Sequence, residues 1–370
     1  PLRGAQITVT SARLQGPRTM TTDSDGGFLI PYLPPAGDYR VAVEAAGFSK
    51  VVQSQIAVAL GTTTVLQMAL SGGGQEIQCV ASPPALDLKT TRLGTNFGQE
   101  ELEGLPIGRK FQESFYLAPN VVDSGSPFGP GVSGSTVAES VYSINGLNIT
   151  DPVGGVLFTN FNYNFVGEIA VNTGGLGAEY GASTGGLFTV LTKSGSNEFH
   201  GELFGYSTSE SWAANPEPTL YSSPKPQPFH NYDYGFDLGG PIVKDRLWFF
   251  VGYNPTYTTR THDGTSYVVN TLSGQGAAIP YTYDDVSRSW LGLAKLTWRV
   301  NDEHNLELTL LTNPTHEWLS EGLGNLLGAN PTVPAVDPRA RMTRRYISGY
   351  DVGLRWYATF LPNFYMETQL

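Results

Sequence analysis

The sequence predicts a mainly β chain in three successive parts: an N-terminal β-sandwich, an α/β segment, and the first strands of an antiparallel transmembrane β-barrel. Composition supports this first. Gly (44), Pro (25), Tyr (19) and Phe (18) are abundant, while charged residues make up only 15% of the 370, as in an aromatic, turn-rich β protein. Between residues 196 and 370, apolar and polar side chains alternate over stretches near the length of a membrane-crossing strand. The connections between those stretches are alternately short and long, which is the loop asymmetry of a barrel in a membrane.

Several classes are excluded at once. A net charge of −11 leaves no basic stripe for phosphate backbones, so nucleic acid is not expected as a partner. Cys79 is the single cysteine, which rules out an intrachain disulfide and a cysteine-rich zinc site. No run of 18 apolar residues predicts a transmembrane helix, a fact that leaves barrel strands untouched. The sequence opens at Pro1 with neither initiator Met nor signal peptide, and is expected to be a piece of a longer protein.

Residues 1–71 read as the sandwich. Ile7 and Val9 alternate with polar neighbours; Tyr39, Val41, Val43 and Ala45 share a face, as do Leu66, Met68 and Leu70. The clusters Asp23-Ser24-Asp25-Gly26-Gly27 and Pro34-Pro35-Ala36-Gly37-Asp38 mark reversals. Asp23 and Asp25 lack the ligand spacing and closing Glu of a calcium loop.

Residues 72–91 read as a linker. Ser71-Gly72-Gly73-Gly74 is a hinge by composition. The segment Glu76-Ile77-Gln78-Cys79-Val80, before the breaker Pro83-Pro84, is extended, mildly apolar and without a sheet of its own. It suits either plain linker or a strand that adds to a partner's sheet.

From 92 to 195 the pattern is α/β. Short helical stretches end at Leu105-Pro106 and span 111–117, Tyr142 to Ile144 is a strand entering the turn Asn145-Gly146, and strands at 169–172 and 187–191 flank a glycine-rich stretch. Gly174-Gly175-Leu176-Gly177 lacks the Lys and Ser/Thr of a phosphate loop, so close backbone packing accounts for it better.

The last part, 196–370, carries the barrel pattern. Tyr232, Tyr234, Phe236 and Leu238 alternate with Asp233, Gly235 and Asp237; Trp290 to Val300, Leu306 to Leu310 and Tyr350 to Phe360 alternate likewise. Short turns are expected at 241–246, 301–304 and 361–363, and long loops near 208–228, 258–287 and 315–343. About seven strands result, against roughly 22 in the barrels whose lumen is filled by a folded domain; a soluble sandwich is the alternative.

No catalytic constellation emerges. The five histidines lie on separate strands and loops, with His200 and His230 as a facing pair at one rim, and no His-Glu-x-x-His or Gly-x-Ser-x-Gly occurs. An enzyme is not expected, nor a cofactor.

Two resemblances sharpen this reading. Pro1-Leu2-Arg3-Gly4-Ala5, Thr22-Asp23 to Gly27-Phe28, Leu33-Pro34-Pro35 to Tyr39 and Gly47-Phe48 resemble the carboxypeptidase regulatory-like domain. That family has one more strand ahead of the first of these stretches. Leu105-Pro106-Ile107-Gly108-Arg109-Lys110-Phe111, Ile144-Asn145-Gly146-Leu147-Asn148, Ala178 to Gly186 and Thr192 to Gly201 resemble the plug signatures of Oar-like TonB-dependent receptors. Gly108 stands where that family commonly has Asn-Gly, and Asn145 where it commonly has Asp.

The resemblance implies a plug at 92–195, with Arg109, Asn145, Gly146, Glu179, Tyr180 and Gly181 as motif residues. It also implies a TonB box at Glu76, Ile77, Gln78, Cys79 and Val80. Expected partners are TonB by strand addition, outer-membrane lipid, and an extracellular ligand, in a Gram-negative outer membrane. Energy-coupled uptake of an oligosaccharide, peptide or protein follows, with a surface adhesion or carbohydrate-binding protein as the alternative. Tyr221, Phe229, Tyr257, Tyr267 and Trp318 are candidate substrate contacts, although membrane girdles use the same residue types.

Overall fold

The computed structural model describes residues 2–72, 77–80, 91–105, 108–124, 129–157, 159, 161–177, 180–181, 183–214, 217, 227–269, 276–319, 343–347, 349–361 and 364–370. Three sheets organise them, with one two-stranded ribbon.

The first sheet holds β1 (Gln6–Thr10), β2 (Arg18–Thr21), β3 (Ala36–Glu44), β4 (Val51–Val58) and β5 (Ile77–Val80), in the order β2-β1-β3-β4-β5. Ile7, Val9, Tyr39, Val41, Val43 and Ile56 form its buried face, as strand alternation requires. Leu66, Met68 and Leu70 pack over that face as the sequence predicts, yet residues 59–71 form no strand. The edge beside β4, where a last strand would pair, is filled by β5. The segment therefore crosses the sheet face instead of extending it. Asp23 closes its own turn, its Oδ1 accepting from the backbone N–H of Asp25 and Gly27 at 2.9 and 2.7 Å.

The central unit contains β6 (Leu93–Gly98), α1 (Gln99–Gly104), β7 (Val121–Val122), β8 (Gly131–Val132), β9 (Val141–Ile144), β10 (Leu147–Asn148), β11 (Val166–Gly174) and β12 (Leu187–Thr192). Its sheet runs β10-β9-β12-β11-β6, with β9 and β12 parallel, and β7 pairs β8 apart from it. Asn145 (φ 49°) and Gly146 (φ 77°) make the left-handed pair that a two-residue β9–β10 hairpin demands. Phe188 packs against Phe115 and Tyr142, with ring centroids 4.4 and 5.0 Å away.

The third sheet holds β13 (His200–Ser209), β14 (Phe229–Val243), β15 (Leu247–Val269), β16 (Gly276–Arg299), β17 (His304–Thr312), β18 (Thr315–Leu319), β19 (Thr343–Ile347), β20 (Tyr350–Leu361) and β21 (Phe364–Gln369). Its path is β13-β14-β15-β16-β17-β20-β21, with β18 pairing β16 and β19. Pro314 interrupts the run from β17 to β18 because it has no N–H for the ladder, while its carbonyl still accepts from Trp290 N–H at 3.0 Å.

Three expectations fail in the third sheet, the first being the loop near 315–343, whose opening residues Thr315–Leu319 are the paired strand β18. The stretch 258–287 is not a long loop: β15 and β16 continue as a hairpin paired from Leu247↔Trp298 to Val269↔Gly276. Thr, Tyr and Val in that stretch favour strand and outweigh the polar composition that suggested a loop. His200 and His230 do not face each other, because they pair with Gly239 and Ser209 at opposite ends of the β13–β14 ladder.

Candidate functional site

The third sheet is built inside out relative to a sheet in water. On β14, Tyr232, Tyr234, Phe236 and Leu238 are exposed, whereas Asp233 and Asp237 are buried at 9% and 5% exposure. On β16, Leu296 and Trp298 are exposed while Lys295 and Thr297 are buried. A soluble sandwich buries its aromatic face and wets its charges. This wall does the reverse, which excludes that alternative and fits lipid on one side and protein on the other.

The central unit covers the charged face. Phe161, Phe165 and Val166 share one apolar cluster with Phe250, Leu293 and Leu311 of the wall. Gly252 permits the close approach: a Cβ there would stand 2.6 Å from the Phe165 ring. Gly252→Ala is accordingly expected to cost about 1–3 kcal/mol through overpacking, read as a lower melting temperature of the purified protein.

Polar pins surround that apolar contact. Arg109 Nε donates to Asp233 Oδ2 at 2.8 Å, and its guanidinium lies 3.7 Å from the Tyr206 ring centroid and 4.5 Å from that of Tyr163. Asn254 Nδ2 donates to Asp233 Oδ1 and its Oδ1 accepts from Asn162 Nδ2, both at 2.6 Å. Lys193 Nζ donates to Asp237 Oδ2 at 3.1 Å. Asn145 Nδ2 reaches Thr309 Oγ1 at 3.4 Å. Apart from the Asn254–Asp233 bond, which lies within the wall, each pin joins a residue of the central unit to one on the wall's buried face, so Asp233 and Asp237 are buried with partners.

The N-terminal unit touches both others. Gln15 Nε2 donates to Gly195 O at 3.2 Å and Arg299 Nη1 to Pro17 O at 3.3 Å. Beyond the end of β4, Leu60 N–H donates to Glu168 Oε1 at 2.8 Å, and Asn96 Nδ2 donates to the same oxygen at 2.6 Å. Burial raises the Glu168 carboxyl above the ordinary range, and these two hydrogen bonds only partly oppose it. The folded junction thus holds its proton more tightly than the unfolded chain, so stability is greatest below the unfolded pKa and falls as pH rises through the folded one. Glu168→Gln is expected to flatten that dependence in melts recorded from pH 4 to 7.

The structure corrects the expectation that residues 76–80 have no sheet. Ile77 to Val80 pair in parallel with Val51 to Ser54 as β5; Glu76 lies outside the described residues. Adding one strand to the bare edge of β4 satisfies backbone groups that an isolated segment leaves to water.

Of the motif residues, Arg109 and Asn145 pin the central unit to the wall, and Gly146 completes the hairpin turn. Tyr180 and Gly181 lie in a separate turn, with Tyr180 N–H donating to Gly177 O at 3.1 Å; Glu179 falls outside the described residues. The candidate substrate contacts do not converge. Tyr257 and Trp318 lie on the outer face, Phe229 begins β14 opposite Arg260, and Tyr267 belongs to the β15 extension. Tyr221 is outside the described residues. Sequence reasoning missed Asp233, Asp237, Asn254 and Lys193. Buried charges opposite an aromatic face were the available signal for the two aspartates.

A wall of this kind defines an outer-membrane β-barrel chain. Residues 191–305 match the outer membrane beta barrel domain family and residues 1–71 the carboxypeptidase regulatory-like domain family. The chain is a homologue of the TonB-dependent transporter Oar of Myxococcus xanthus, 32% identical over 363 residues covering 90% of this chain and 33% of Oar. It therefore spans about a third of that relative's length. The crystal structure of the outer membrane transporter YddB from Escherichia coli superposes with a TM-score of 0.52 at 15% identity, over 74% of this chain and 38% of that one. That likeness is one of fold. The domain places the chain in the outer membrane of a Gram-negative cell, and its homologues are transporters, not enzymes.

Proposed function

We propose that the chain supplies the sandwich, the plug and leading barrel strands of a TonB-dependent outer-membrane transporter that imports a large substrate: an oligosaccharide, peptide or protein. The observation that carries this reading is the inside-out wall with a folded unit pinned to its charged face. A pore closed by its own domain needs an external pull to open, and residues 76–80 are the segment on which TonB acts by strand addition. That segment is stored on β4, so TonB meets it either at its remaining edge or by exchange with β4. Tyr257 and Trp318 serve the membrane interface, while substrate meets the plug and the loop ends of the strands.

The full-length protein is expected to show heat-modifiable gel mobility and to lose uptake when residues 75–81 are deleted. Uptake unchanged by that deletion would sink the coupling; a detergent-independent soluble protein would sink the transporter.

A further inference from the structure

One rung on the outer face of the wall is chemically unlike its neighbours. Tyr232, Tyr257, Arg288, His316 and Tyr346 are successive cross-strand partners on β14, β15, β16, β18 and β19. Directly opposed residues of antiparallel strands share a face, so the five stand in one row on the side of exposed Tyr232 and Tyr346. The adjacent rung on that face sets Trp318 opposite Arg344. The Arg288 guanidinium lies 5.2 Å from the Tyr257 ring centroid and 5.4 Å from that of Trp318. His316 meets Trp290 and Tyr346 edge-on, with centroids 5.0 and 4.7 Å away.

Neither arginine has an ion-pair partner among the described residues. Asp284 shares the face of Arg288 but lies four positions along the strand and accepts from Thr261 Oγ1 at 2.7 Å. Glu317 and Asp285 point to the other face, where they pair with Arg345 and His262. On a lipid-facing surface, two arginines without an ion pair among the described residues belong at the interface: the cost is about 2–4 kcal/mol each at mid-bilayer and roughly 0–1 near the headgroups. Their height agrees. Trp298 stands just before the 300–303 turn, and Trp290 stands eight positions back along the same strand. At about 3.4 Å per residue and a tilt near 40°, that separation is about 20 Å of membrane depth. The apolar band is about 25 Å tall, which puts Arg288, two residues further, at the outer headgroup level.

We propose that Arg288, Arg344 and His316, held by the rings of Tyr257, Trp318 and Tyr346, form a binding site for the phosphate of an outer-leaflet lipid. Guanidinium forks grip phosphate oxygens in pairs, and the rings fix the Arg288 fork by cation–π contact without neutralising it. A lipid is the occupant the geometry selects, because the site opens sideways at headgroup height and its acyl chains would run down the apolar outer face of β16 and β17, past Leu296, Leu308 and Leu310. The inference rests on the membrane reading above.

The test uses the full-length protein in mild detergent with bisphosphorylated lipid A as probe, and reads retained lipid by native mass spectrometry. Wild type should retain the lipid, the R288Q/R344Q double variant should retain about tenfold less, and dephosphorylated lipid A should bind neither above background. R40Q, which alters an arginine on the sandwich, should behave as wild type. Unchanged heat-modifiable mobility certifies that the double variant is folded; should that be lost, R288K/R344K is read instead and should retain an intermediate amount, because it keeps the charge and loses the fork. Equal retention by wild type and variant overturns the site. Equal capture of a deacylated bisphosphorylated disaccharide overturns the lipid and leaves a free-phosphate site. Loss of heat-modifiability in the wild type would instead indict the membrane reading itself.

Discussion

Lys193→Met is expected to be among the most damaging single substitutions in the central unit. Asp237, buried at 5% exposure, relies on the Lys193 ammonium at 3.1 Å and on Glu202 N–H at 3.0 Å. Removing the ammonium leaves a buried carboxylate with one backbone donor, a change of about 3–5 kcal/mol for a buried pair. The melting temperature should fall, and cells should become permeable to large antibiotics that the outer membrane normally excludes. Adding Asp237→Asn should restore much of the loss, because the double variant buries no unpaired charge. A double variant as leaky as the single one would show that Lys193 acts through packing and not through charge.

The second large effect concerns the docking strand. With purified TonB periplasmic domain as probe, deleting residues 77–80 from the full-length protein should abolish capture. Deleting residues 2–71 should increase it, since β4 then no longer competes for those backbone groups. If the four-residue pairing is worth about 1.4 kcal/mol, the gain is about tenfold. Capture unchanged by sandwich deletion would mean that TonB adds to the remaining edge of β5 and never exchanges with β4.

Much of this was legible in residue order. Alternation of Tyr232, Tyr234 and Phe236 with Asp233 and Asp237 fixes both faces of β14, because a strand's side-chain period admits only two. The Asn145-Gly146 hairpin follows from the left-handed conformations that these two residues tolerate. What was hidden depends on contacts between distant segments. Nothing local in Ile77 to Val80 announces that β4 has a vacant edge, and nothing in Asn254 or Lys193 names its partner across the interface. The 258–287 stretch reads as a loop because Pro, Ser and Asn mark loops in water, whereas a hairpin continuing from two long strands inherits their pairing. Tyr257 and Trp318 share the face of Tyr232 through their cross-strand register, a placement that residue type alone does not reveal.

The apolar cluster that Phe161 and Phe165 share with Phe250, Leu293 and Leu311 of the wall has a mechanical meaning. Dispersion between close-packed surfaces is short-ranged, and a gap of about 0.5–1 Å already forfeits roughly a quarter to a half of it. A joint of this kind is stiff and brittle: it resists almost to its limit and then parts over a small displacement. Under an applied pull, the central unit would therefore part from the wall abruptly and not creep along it. Strain would then be released at a softer seam inside the central unit before the close approach of Phe165 to Gly252 gives way.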